Sequence, residues 1–385
     1  MSSSTLDSAR KSLVSEPAQA ISAAVMAVMA LAALNQLSVW FAPLLLLASV
    51  VGMGLVVVFR SRAERIAKEG EKRVDYHKLS AIDTDGVASW LKDNLRGHDQ
   101  IVDSILQSLK KSTQLARPGR TLGNFLLVGP TGTGKTYLAQ LIAAGLYPKS
   151  EVVLLTMNQY KQSADVYTLI GPPPGMPGYE VGGRLTRPVM QDPYRVVILD
   201  ELEKSHHDLH DCLYDILDTA TCREKSSGQL VDFSACVFFG TCNAGVDQLR
   251  ALAQEFPSPT SSAWLGRSRD VLADAAKFDR AFLSRWDGIF LMDHLLPLHV
   301  AEVACLQLCR YWRDYGIEVQ YAAPELILEA VQRNQDFSEY GVRQLARFIR
   351  EQTEPAILEA KRNGSKKVNL HVSGQSGGLE VEVAR

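Results

Sequence analysis

Short apolar runs alternate with stretches of helical spacing through the middle of this 385-residue chain. The runs Phe125–Val128, Val152–Thr156, Val196–Leu199 and Cys236–Thr241 read as strands, while Tyr137–Ala144 and Asp270–Phe278 read as helices. Strands separated by helical stretches predict an α/β domain, a parallel sheet covered by helices. A low-complexity patch, Phe256–Ser262, interrupts this region. From Leu296 to about Lys361 the pattern becomes mostly helical, and the alternating segments Lys367–Val372 and Leu379–Val383 predict a terminal hairpin. The chain shows no internal repeat.

The N-terminal pattern differs. No Asp, Glu, Lys, Arg or His occurs between Glu16 and Arg60. One bilayer crossing takes about 20 apolar residues, so the stretch suffices for two transmembrane helices, Ala18–Leu37 and Phe41–Phe59. Arg10 and Lys11 precede the first span, and Arg60, Arg62, Arg65 and Lys68 follow the second. Positive residues on both flanks predict a hairpin with cytoplasmic termini. The expectation is therefore a multi-pass membrane protein with the lipid bilayer as one partner. Two other readings compete: a cleaved signal peptide ending near Ala32–Ala33 followed by a single anchor, and a buried helical hairpin.

Candidate chemistry begins where the first strand ends. Gly129, Pro130, Thr131, Gly132, Thr133, Gly134, Lys135 and Thr136 fit G-x-x-x-x-G-K-[ST] between a strand and a helix. Glycines let the backbone wrap a triphosphate with inward-facing N–H groups, and the helix adds its positive end. Lys135 is placed to reach the β- and γ-phosphates and Thr136 to hold Mg²⁺. The strand Val196–Leu199 ends in Asp200 and Glu201, carboxylates suited to holding Mg²⁺ through water and polarising the attacking water. Together these motifs predict ATP hydrolysis with ATP and Mg²⁺ as ligands.

Bulk properties narrow the partners. Forty-six per cent hydrophobic residues can bury a sizeable core, and 41 basic against 43 acidic side chains leave a net charge of −2. That balance supplies no domain-wide basic surface, so no nucleic-acid partner is expected. The six cysteines form no C-x-x-C pair and suit a reducing compartment rather than a disulfide framework.

From Leu95 onward, motif order resembles the Clp branch of AAA+ ATPases, above all the second ATPase module of ClpB- and ClpA-type chaperones. Leu95–Gln100 corresponds to the family's V-I-G-Q-D segment, with His98 in place of Gln, and Ile101 and Val102 join the implied adenine pocket. Leu169–Glu180 matches the substrate-gripping pore loop, here Gly175, Met176, Pro177, Gly178 and Tyr179, with Met176 where the family has an aromatic residue. Asp200–His206 resembles D-E-I-E-K-A-H, and Gly240–Gly245 resembles T-S-N-A-G, which makes Asn243 a sensor of the γ-phosphate. Ala281–Asp287 resembles P-E-F-L-N-R-I-D. Arg285 is then the finger inserted into a neighbouring subunit's site, with Arg280 as second choice. Tyr340–Arg343 resembles Y-G-A-R and gives Arg343 as the second sensor.

The resemblance implies a homohexameric ring acting on a protein substrate or membrane-protein partner; with the N-terminal hairpin, the expected place is a bacterial inner membrane. The two readings together divide the chain into a tail with two spans (1–60), a charged connector (61–90), an AAA+ large domain (91–295) and a small C-terminal domain (296–385). No aliphatic-glycine-aliphatic tripeptide lies between Asn243 and Arg285, which argues against a ClpP-like protease partner. The alternative function is a torsin-like, ATP-controlled membrane scaffold or assembly factor without processive threading.

Overall fold

The computed structural model describes residues 74–256, 258, 261–322, 337–372 and 379–383, all within the unit Lys72–Arg385. Side chains that point alternately to opposite faces explain its central layer. In chain order the strands are β1 (Gly123–Val128), β2 (Val153–Thr156), β3 (Val196–Asp200), β4 (Thr221–Arg223), β5 (Leu230–Asp232), β6 (Val237–Cys242) and β7 (Gly288–Leu291). Five of them form one parallel sheet in the order β2-β3-β6-β1-β7, while β4 and β5 pair antiparallel by themselves.

Each central strand serves two cores. Leu126, Val128, Val197, Leu199 and Phe238 enter one apolar cluster, whereas Phe125, Leu127, Val196, Ile198 and Phe239 enter the cluster on the opposite face. A strand buried on both sides reads as a continuous apolar run, the pattern of a parallel sheet. Leu79, Val87 and Leu91 pack into the second cluster, so the two helices Tyr76–Ser80 and Thr84–Asn94 are part of the sheet's covering layer.

The four strands expected from the apolar runs form within two residues of their expected limits. The fifth, β7, was not expected: four residues starting at Gly288 carry too little pattern to stand out beside the preceding arginine motif. The helix expected over Asp270–Phe278 instead runs Ser262–Ala275, because the Ser261 side chain caps it by accepting from the Trp264 N–H at 3.1 Å.

Downstream, Pro297–Asp314 and Phe337–Arg362 are helices. Val300, Ala304, Leu308 and Trp312 recur every fourth residue and form the buried stripe that meets Ile349, Ile357, Ala360 and Val368. The expected terminal pair is present, β9 (Lys367–Val372) antiparallel to β10 (Leu379–Val383). It is enlarged by β8 (Glu318–Ala322), which runs parallel to β9. β8 lay hidden in a mostly helical section because it alternates for only five residues.

The proposed spans Ala18–Leu37 and Phe41–Phe59 lie outside the described residues. Among the described residues no helix is long and apolar enough to cross a membrane. Even the longest, the 26-residue Phe337–Arg362, carries charged side chains along its length. The expected multi-pass membrane location is corrected on this ground and on the relatives reported below.

Because Phe238 is fully buried in the sheet, Phe238→Ala should cost about 3–5 kcal/mol. The check is a lowered urea midpoint; an unchanged one would contradict the two-faced core.

Candidate functional site

Parallel register brings the chemistry to one edge of the sheet. Val128 pairs with Cys242 and Leu199 with Gly240, so the loops leaving β1, β3 and β6 emerge side by side at their carboxyl ends. Ligands of open α/β sheets bind at such an edge. Here the edge opens on a cavity of about 430 Å³. Its walls include Thr131–Thr136, Asp200, Glu201 and Asn243 from the sheet edge and Leu295, Gln307 and Arg310 from further along the chain.

The loop after β1 has its glycines for separate reasons. A Cβ on Gly129 would collide with the Met292 carbonyl, whereas Gly134 adopts φ +92° and faces open space. The helix Lys135–Leu146 starts there with no side-chain cap, leaving its first N–H groups for an anion. Lys135 is buried, and its ammonium donates to the carbonyls of Gly129 (2.6 Å) and Pro130 (2.7 Å) and to Asn243 Oδ1 (2.9 Å). Burial pulls the Lys135 amine down from its ordinary value to about 8, with Glu203 as the largest opposing influence.

Asp200 Oδ1 accepts from both Thr136 Oγ1 and Thr241 Oγ1 at 2.7 Å. A hydroxyl and a carboxylate beside a phosphate loop are the hard oxygen donors that suit Mg²⁺. Glu201 sits in the left-handed region at φ 58°, a strained backbone for a non-glycine residue. Its N–H donates to Thr241 Oγ1 at 2.9 Å. Both of its carboxylate oxygens are engaged: Asn158 Nδ2 donates to Oε2 (2.6 Å) and Lys204 Nζ to Oε1 (2.9 Å).

Several residues of the site were not singled out from sequence. Asn158 follows β2, far along the chain from Glu201. Glu203 Oε1 accepts from the N–H and Nδ2 of Asn243, both at 3.1 Å, and so fixes the side chain that touches Lys135. Arg310, on the helix Pro297–Asp314, donates to Tyr137 Oη and to Asn94 Oδ1 (2.7 Å), tying that helix to the phosphate-loop helix and to the segment before Leu95. His98 is buried with Nε2 3.2 Å from the Thr133 carbonyl, and burial lowers its pKa. The sequence named His98 within Leu95–Gln100 and covered Glu203 within Asp200–His206, but gave neither these contacts nor any signal for Asn158 and Arg310.

Other expected residues stand elsewhere. Ile101 is buried on the helix Asp99–Gln114 and lines a neighbouring hollow rather than the phosphate-loop cavity. Arg285 does not line the cavity either; it contacts Tyr214 and Asp218. Arg343 falls on the helix Phe337–Arg362, and its side chain lies outside the described residues. Gly175–Tyr179 form a surface loop of successive turns, with Met176 45% and Tyr179 41% exposed. The loop base is buttressed by the β4–β5 connection. Buried Glu224 accepts from the Gly183 N–H at 3.0 Å, and Ser226 Oγ donates to the Pro172 carbonyl at 2.8 Å. None of the six cysteines is disulfide-bonded, and burial pushes the Cys212 thiol up to about 12.

Comparisons with known proteins agree with this geometry. Residues 120–288 match the family described as AAA domain (Cdc48 subfamily). The chain is 32% identical over 281 residues to the ATP-dependent Clp protease ATP-binding subunit ClpE of Lactococcus lactis, covering 71% of this chain and 36% of that protein. It is 31% identical over 322 residues to the negative regulator of genetic competence ClpC/MecB of Bacillus subtilis, covering 80% and 38%. It is 32% identical over 280 residues to the chaperone protein ClpB of Nitratidesulfovibrio vulgaris, covering 70% and 31%. The chain thus spans about a third of the length of these relatives. None of their names describes a membrane protein, which with the absence of a crossing helix among the described residues overturns the multi-pass location.

The Lys135 amine gives a pH test. Bound phosphates favour the ammonium, so the complex retains a proton that the empty site loses near pH 8. Affinity for ADP, measured in EDTA, should therefore fall as pH rises through about 8, by up to about tenfold per pH unit. A flat profile would contradict the dry, neutral-acceptor pocket around Lys135.

Proposed function

We propose that the chain is an ATP-hydrolysing AAA+ ATPase of the Clp type, a reading its family match and relatives support, and that it assembles as a homohexameric ring that converts hydrolysis into pulling on protein substrates. The observation that carries this reading is the convergence of Lys135, Thr136, Asp200, Glu201 and Asn243 on one cavity at the carboxyl edge of the sheet.

In the proposed cycle, the loop Gly129–Thr136 wraps the phosphates and Lys135 exchanges its carbonyl partners for phosphate oxygens. Thr136 and Asp200 hold Mg²⁺, which when bound neutralises charge on the transferring phosphoryl group. Glu201 leaves Asn158 and Lys204 to accept a proton from the attacking water. Asn243, fixed by Glu203, orients that water. Arg285 of one subunit stabilises the charge that develops in its neighbour's site, and Arg343 couples the γ-phosphate to movement of the small domain. Arg310, bonded to Tyr137 and Asn94, turns with that movement. The loop around Met176 is the contact that moves; a thioether is apolar and adaptable enough to meet varied chains.

Glu201→Gln should bind ATP normally while turnover drops at least about a hundredfold; ordinary turnover in that variant would refute the water-activating role. Unfolded polypeptide should accelerate phosphate release, and Met176→Ala should remove that acceleration while sparing basal hydrolysis. Indifference to polypeptide would instead favour a nucleotide-controlled assembly factor.

A further inference from the structure

Arg285 ends the short helix Arg280–Ser284, and its carbonyl accepts from Asn124 Nδ2 at 3.0 Å, which ties its backbone to β1. Its side chain is held by a different element. One guanidinium nitrogen donates to Tyr214 Oη at 2.7 Å, Cζ lies 4.7 Å from the Tyr214 ring centroid, and Nε lies 3.1 Å from Asp218 Oδ1. The last contact is close as an ion pair but misaligned as a hydrogen bond, since Nε is buried without a hydrogen-bonding partner. Tyr214 and Asp218 are four residues apart on the helix His207–Thr219 and so share one face.

We propose that Tyr214 and Asp218 are positioning residues that hold the Arg285 guanidinium ready for the phosphoryl group in a neighbouring subunit's site. The inference rests on the reading of Arg285 as a finger acting in trans. Ring contact sets the plane of the guanidinium, the phenol sets its rotation, and the carboxylate holds its Nε edge. Arginine offers five donors, so others are left for phosphate oxygens. The Arg285 side chain stays 32% exposed, enough to be reached from outside its own subunit. Asp218 is 41% exposed, so solvent screens its charge and the pair orients the cation without cancelling it. An arginine fixed before its target arrives has less freedom to lose at the transition state. Arg280 has no such cradle: among the described residues it pairs with Asp270 alone, and it is 71% exposed, which leaves Arg285 as the preorganised cation.

The test measures steady-state ATP hydrolysis by the full chain, for single variants and for mixtures of subunits. Asp218→Asn and Tyr214→Phe, both nearly isosteric, should each lower kcat about tenfold with KM for ATP and ADP affinity little changed. Asp218→Glu should recover part of the loss. Mixed with an excess of Glu201→Gln subunits, Asp218→Asn subunits should regain turnover. Their own water-activating carboxylate is intact, and they then receive a correctly held finger from a neighbour. Damage confined to their own nucleotide site would not be rescued in this way, and failure of rescue overturns the proposal. If Arg285→Ala abolishes turnover while both cradle variants hydrolyse ATP like the parent protein, the cradle alone is wrong. If Asp218→Asn raises kcat, the pair restrains the finger instead of presenting it, and the proposal is again wrong. If Arg285→Ala turns over normally, the finger reading and the cradle fall together.

Discussion

One carboxylate oxygen carries an unusual share of the connections in this molecule. Asp200 Oδ1, at the end of β3, accepts from Thr136 on the phosphate-loop helix and from Thr241 on β6, both at 2.7 Å. Thr241 in turn accepts from the Glu201 N–H. Three chain segments that meet only because β1, β6 and β3 are neighbours in the sheet are thereby locked at their carboxyl ends. The lock is polar and largely shielded, and the shared Oδ1 has both donors in place, which is what a low-dielectric site needs if its groups are to keep their places before a ligand arrives.

Around that lock the site is held in a resting arrangement. Lys135 spends its hydrogens on two carbonyls and Asn243, and Glu201 spends its oxygens on Asn158 and Lys204. These contacts stand in for phosphates and water, so binding exchanges one set of partners for another and leaves no charge bare. The left-handed backbone at Glu201 costs about 1–3 kcal/mol, and the surrounding pairing keeps the carboxylate at the turn where it faces the cavity.

Legibility in the sequence followed the range of the interaction. The phosphate loop and the Asp200–Glu201 strand end were readable because glycine, lysine and carboxylate spacing is local. β1, β3 and β6 were readable because burial on both faces leaves an uninterrupted apolar run, and the edge strand β2 because its short run is apolar even though Leu154 is exposed. Asn158, Glu203, Tyr214 and Asp218 were not, since each owes its role to a neighbour tens of residues away that only the sheet order supplies. β7 and β8 were too short to announce themselves. The apolar run before Arg60 drew a membrane reading from its length and its flanking positive charges; the relatives do not sustain that location, and among the described residues no helix is long and apolar enough to cross a membrane.

The central claim is that hydrolysis requires the Arg285 of one subunit beside the Lys135, Asp200 and Glu201 of another. Phosphate release per subunit, measured with saturating ATP over a protein dilution series, tests it most directly. The account predicts specific activity that rises steeply with protein concentration and levels off once rings are complete. Constant specific activity extending down to dilutions where only single chains remain would contradict it.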